Sequence, residues 1–301
     1  MIAPLRIIDT NEIETVDSAA HRRLAHFNAR RLQPCGPGCL PDDVQTRALL
    51  NWEERFLAGE RERISDLAAE VPTDTEGFLR WFTALEINGP GQEDPLFPWL
   101  AEHAGLQEMR WFLTQEAAGE AGFDDLVALT QVKLPERAKL ELARNYWDEM
   151  GRGRADGMHG RLLERLVASL ALPVRIDTTV WPALALGNLL VGMATRRDHA
   201  YHSLGALGVI EMTAPGRVAQ VAAGLRRLGI SAADRRYFDL HAVLDRKHSA
   251  AWNEEVLAPL VHQDARAATW IAEGALMRLS AGARCFACYR TMLAVTTSAG
   301  R

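Results

Sequence analysis

An all-α fold is what this 301-residue sequence predicts, and three observations carry that reading. Segments rich in Leu, Ala, Arg and Glu recur almost throughout, with apolar residues three and four apart, the spacing that keeps one face of an α-helix apolar. Alternating β-branched runs bounded by turns are nearly absent, the exception being Val174-Arg-Ile-Asp-Thr-Thr-Val180. Proline and glycine break the chain at Pro34–Pro41, Asn88–Gln92, Gly151–Gly157, Ala171–Pro173 and Ala214–Gly216. Those breaks leave room for about ten helices.

In chain order, residues 1–90 are highly charged, with Glu53-Glu-Arg and Glu60-Arg-Glu-Arg, and read as an N-terminal extension of two to four helices. The boundary falls at Gly89-Pro-Gly91, without a flexible linker, and residues 91–301 form the main bundle. Trp111–Glu116 is an apolar helical patch closed by a carboxylate. Asn145-Tyr-Trp-Asp-Glu149 ends one helix and Met158-His159 begins another, so the Gly-rich turn between them lets Glu149 and His159 face a common point. Val180–Thr195 is the longest apolar stretch. Broken by Pro182, Gly187 and Asn188, it is too short to span a bilayer and reads as a core helix. Glu211 lies in an apolar helical stretch, and a further helix carries Tyr237–His248.

The 48% hydrophobic content is enough for one large core or two smaller ones. A net charge of −5, with basic and acidic residues interspersed, gives no reason to expect nucleic acid as a partner. The N-terminus lacks the basic start and apolar run of a signal peptide, so a cytoplasmic protein with no membrane partner is expected. Cys35-x-x-x-Cys39 and Cys285-x-x-Cys288 would make a four-thiolate zinc site only if the two chain ends met. Cys285 and Cys288 read better as small apolar core residues.

His241, Asp245 and His248 are spaced i, i+4, i+7 and share a roughly 60° arc of one helix face. Two imidazoles and a carboxylate suit iron, manganese or zinc, although a polar stripe is equally read as a solvated face. The metal reading therefore depends on ligands elsewhere. Glu149 and His159 are candidates, though an acidic residue before glycine is also an ordinary helix end. Glu211 is a stronger one, because a carboxylate in apolar surroundings is costly unless paired or bound to metal. Glu116 follows its apolar patch in the same way, with Glu120 one turn further on as a substitute.

Taken together, Asn145-x-x-Asp148-Glu149-x-Gly151-x-Gly153, a histidine ten residues after that glutamate, the isolated Glu211, and His241-x-x-x-Asp245-x-x-His248 resemble the heme-oxygenase-like diiron oxidases, also called the iron-containing redox enzyme family. The resemblance covers about residues 95–265. It implies a heme-oxygenase-like helical bundle, two ferrous iron ions, and dioxygen as co-substrate. It also implies Glu116, Glu149, His159, Glu211, His241, Asp245 and His248 as metal ligands, all but Glu116 carrying the chemistry, since no distinctive motif surrounds Glu116. The family name refers to its fold and implies no heme. Three histidines and four carboxylates are too many for one ion, and the four carboxylates would neutralise two divalent ions. Glu149, at a helix end between the two ligand groups, is the candidate bridge.

The implied activity is that of a nonheme diiron oxidase or oxygenase on a small, amino-acid-like substrate in a biosynthetic pathway, by N-oxygenation or oxidative C–C cleavage, with an electron donor as a further partner. The alternatives are a non-catalytic helical interaction protein with a structural metal, and a cofactor-free enzyme on the same scaffold. A homodimer is the default state. Tyr146, Trp147, Tyr237 and Phe238 flank the ligands and read mainly as core. Arg217 and Arg236 could hold a substrate carboxylate, but surface arginines are common. His21, His26, His103, His199, His202 and His262 read as non-ligating.

Overall fold

The structure, a computed structural model, describes residues 16–38 and 43–295. Among the described residues there are fourteen α-helical segments and no strand. The first four are α1 (Val16–Arg31), α2 (Val44–Arg63), α3 (Ser65–Ala68) and α4 (Thr75–Asn88). Then come α5 (Leu96–Glu102), α6 (Leu106–Gly119), α7 (Phe123–Thr130), α8 (Glu136–Glu149) and α9 (His159–Ser169). The last five are α10 (Trp181–Thr195), α11 (Ala200–Arg227), α12 (Arg236–Ala251), α13 (Ala258–Gln263) and α14 (Arg266–Met292). The expected ten become fourteen because short pieces such as α3, α7 and α13 are too brief to leave a periodic signature. The β-branched run at Val174–Val180 forms a tight helical turn over Ile176–Thr178.

Local chemistry explains several boundaries. Asp43 and Asp74 precede α2 and α4, and their carboxylates accept hydrogen bonds from the Thr46 and Gly77 amides, each at 2.8 Å. Such caps satisfy amides that have no partner within the helix. α10 is buried on almost every side, as its largely apolar, charge-free composition requires. A single cluster of buried side chains joins Leu57, Phe78 and Phe82 to Leu189, Leu204, Trp252 and Leu276, so α2 and α4 pack on the same core as the later helices.

The frame of the bundle is α11 against α14. A methyl group added at Gly205 would strike the Ile271 carbonyl, and one at Gly274 would strike the His202 carbonyl. The two backbones touch where both helices lack side chains. The break expected at Ala214–Gly216 does not occur, since α11 runs straight through Pro215. A mid-helix proline costs about 3 kcal/mol because it offers no amide to the carbonyl four residues back, here that of Glu211. Burial of α11 along most of its length outweighs that cost. A π-helical segment, Trp252–Leu257, follows α12, and its buried Trp252 donates to the Leu204 carbonyl at 3.2 Å.

The four-thiolate zinc arrangement is not formed. Cys35 is disulfide-bonded and therefore not a thiolate donor, Cys39 lies outside the described residues, and Cys285 and Cys288 are free on α14. Among the described residues no helix is long and apolar enough to cross a membrane.

Candidate metal centre

Glu149 closes α8 and His159 opens α9, and the chain between them turns back sharply. Gly151 has φ +61°, and any Cβ there would collide with the backbone of Gly157. Only glycine tolerates both conditions, and the reversal brings the two side chains together. α11 adds Glu211 from its interior, and α12 presents His241, Asp245 and His248 from one face. All of these are buried except His241, which is half-buried.

The ligand-capable atoms form two groups. Those of Glu149, His159 and His241 lie within 4.8 Å of one another, as do those of Glu149, Glu211 and His248. Glu149 belongs to both. Its Oε2 is 2.6 Å from His159 Nδ1, and Glu211 Oε2 is 3.3 Å from His248 Nδ1. The His159 and His241 rings meet edge-on with centroids 4.6 Å apart.

A further ring of contacts orients these groups. Asn145 Nδ2 donates to Glu211 Oε1 at 2.6 Å. His248 Nε2 lies 3.2 Å from Asp148 Oδ2, and Asp148 is itself bound by Arg152 Nε at 2.6 Å. His241 Nδ1 is 2.7 Å from the Tyr237 carbonyl. A carbonyl only accepts, so Nδ1 carries the proton and Nε2 keeps a free lone pair, the arrangement a metal-binding imidazole needs.

The donor set fits a cation. Asp245 Oδ1 is enclosed with no hydrogen-bond partner, and such an unsatisfied buried atom is costly, while the enclosed Nδ1 atoms of His159 and His248 face only the Glu149 and Glu211 carboxylates. Burial, then the charges of Glu211 and Glu149, push the Asp245 carboxyl up to about 10. Burial and Glu211 also raise Glu149. His159 is held down to about 4 by burial and then His248, and His241 to about 4 by burial and then His159. His248 alone rises, to about 9: burial opposes its charge, but Glu211 and Asp148 together prevail. The physical content is a crowd of carboxylates short of positive charge.

A cavity of about 120 Å³ opens on this cluster, bounded by Glu120, Glu149, His159, Glu211, Tyr237, His241 and Asp245. Six of the seven residues expected from sequence are thus brought to one place. Glu116 is not among them. It lines the neighbouring cavity with Glu120, Arg278 and Tyr289, and it interacts with the Tyr289 hydroxyl. Glu120 borders both cavities, and its Oε1 accepts from the Gly122 and Phe123 amides, each at 3.1 Å. Tyr237 lines the main cavity, Phe238 and Tyr146 pack in the core, and Trp147 is 54% exposed. Sequence reasoning did not foresee Asp124 on the cavity wall, nor the roles of Asn145 and Asp148 in holding Glu211 and His248. The Asn145 and Asp148 positions were visible in the motif, but their partners lie far along the chain.

The sequence model of a family described as iron-containing redox enzyme matches residues 110–283. Two crystal structures of a CADD-like protein of unknown function from Nostoc punctiforme share the fold. One gives a TM-score of 0.57 at 16% identity, over 73% of this chain and 97% of that one. The other gives 0.55 at 17% identity, over 74% and 99%. No curated protein matches the sequence.

Proposed function

Because the chain belongs to the iron-containing redox enzyme family, we propose that it is a nonheme diiron oxidase or oxygenase acting on a small, amino-acid-like organic substrate. The observation that carries this reading is the pair of three-residue groups sharing Glu149. A carboxylate with two oxygens can bridge two ions, His159 and His241 serving one and Glu211 and His248 the other. Asp245 stands beside them with an unsatisfied oxygen. Glu120, which borders the same cavity, takes the role that sequence gave to Glu116.

Two ferrous ions held there would supply the electrons that activate dioxygen. The protein's own part is to fix and shield them. Asn145 holds Glu211, and Asp148 holds His248 against rotation. The Tyr237 carbonyl fixes the His241 tautomer. Phe123, Leu163, Ile210 and Val218 supply an apolar wall that limits water and leaves room for a small substrate.

The test is anaerobic titration of metal-free protein with ferrous iron, followed by rapid mixing with dioxygen. Saturation at about two irons per chain and oxygen-dependent absorbance changes are expected. Saturation at one iron or none would refute the proposal.

A further inference from the structure

A second cavity shares Glu120, Phe123 and Ile210 with the first. Its wall carries Glu116 from α6 together with Arg278 and Tyr289 from α14. Arg217 of α11 adjoins it, with its charge acting on both Glu116 and Arg278. Its guanidinium lies 5.9 and 5.6 Å from the ring centres of Phe97 and Phe286. Arg217 spends two donors, on Gln92 Oε1 at 3.3 Å and Thr213 Oγ1 at 3.1 Å. Arg278 has no hydrogen bond or ion pair to any described residue, and its Nε is enclosed.

The charges here do not balance. Glu116 is the carboxylate whose charge acts on both arginines, while Glu120 acts on Arg278 only. Burial and then Arg278 bring Arg217 down to about 9, so it remains a cation at neutral pH. If Glu120 serves the metal ions, one carboxylate faces two half-buried guanidinium groups. Partly desolvated charge of this kind is costly unless a counter-charge arrives. A guanidinium with its whole donor fork unspent matches a carboxylate in shape and charge.

We infer that the second cavity is a carboxylate subsite, in which Arg278, backed by Arg217, holds the acid end of the substrate while its reacting end lies at the metal pocket. This rests on the diiron reading above for the direction in which the substrate lies. Glu116 sets the strength of the subsite by partly neutralising the two arginines, and the Tyr289 hydroxyl steadies Glu116.

The experiment uses the full chain, metal-free and anaerobically iron-loaded, with butyrate as probe and butyramide as its neutral counterpart, followed by ligand-observed NMR and calorimetry. Butyrate should bind the metal-free protein and butyramide should not. Arg278→Met should weaken butyrate about tenfold or more, the worth of a charge-assisted hydrogen bond. Glu116→Gln should tighten it by removing a competing anion, a gain that misfolding cannot imitate and that decides the matter if Arg278→Met fails to fold. Equal binding of butyrate and butyramide, or of butyrate to wild type and Arg278→Met, would overturn the subsite. Butyrate that binds only the iron-loaded protein, indifferent to Arg278, is sitting on the metal, which sinks the subsite and leaves the diiron reading standing. Iron uptake below two per chain with Arg278-dependent butyrate binding does the reverse.

Discussion

Glu149→Ala should remove both metal ions at once, whereas loss of a histidine should remove one. The reasoning is geometric. Glu149 is common to the two groups of ligand atoms, while His241 belongs to the first and His248 to the second. Even a partner outside the ligand set is worth about 10- to 100-fold in metal affinity, so losing a ligand itself should cost more than that. Iron stoichiometry after anaerobic loading and desalting should then read about two for wild type, about one for His241→Ala or His248→Ala, and near zero for Glu149→Ala. Iron would be counted by a colorimetric chelator, with circular dichroism to show that the helices persist. A Glu149→Ala protein that retains one firmly held iron would refute the shared-carboxylate arrangement. So would a His241→Ala protein that loses both.

Other expectations follow from contacts around the site and in the frame. Asn145→Ala should weaken iron binding by about 10- to 100-fold without changing the ligand count, read by competition with a chelator. Gly205→Ala, which drives a methyl into the Ile271 carbonyl, should destabilise the protein by about 1–3 kcal/mol in urea unfolding. Gly59→Ala, in an exposed turn of α2 with open space around it, should instead stabilise by about 0.5–1 kcal/mol. Glu273 is buried, which alone would raise its pKa, but hydrogen bonds from His202 and Arg61, each at 2.9 Å, hold it below the usual carboxylate range. Its contribution is therefore complete above the unfolded-state pKa of about 4.3 and is lost as pH falls through the lower folded value. Unfolding free energy measured from pH 6 to pH 3 should show a shallower acid limb in Glu273→Gln.

The all-α class was legible because helical periodicity is a local property, repeated along the chain. The Glu149–His159 pairing was legible for the same reason: both residues flank one short turn whose glycines announce it. Pro215 misled because its penalty is local while the packing that overrides it comes from helices distant in sequence. Glu116 and Glu120 lie four residues apart, one in the last turn of α6 and one just past its end, so spacing alone could not assign either to the cluster; of the two, Glu120 alone borders the cavity at the cluster. The Asp148–His248 contact, across a hundred residues, leaves no trace in a single sequence. Arg278 carries no signal in the sequence, because its lack of a partner is a property of the folded state.

The backbone contact between α11 and α14 sets a length. Glu211 lies within two turns of Gly205, and Arg278 one turn beyond Gly274, so each functional group is referred to the same point of helix-on-helix contact. Side chains at a helix crossing can repack and let the axes drift, but carbonyls touching glycine faces have almost no such freedom. The span between the metal pocket and the arginines is then a ruler made of main chain, insensitive to drift elsewhere in the sequence. Substrates would be graded by how many carbons separate the acid group from the reacting atom, at about 0.8 kcal/mol for each methylene misplaced.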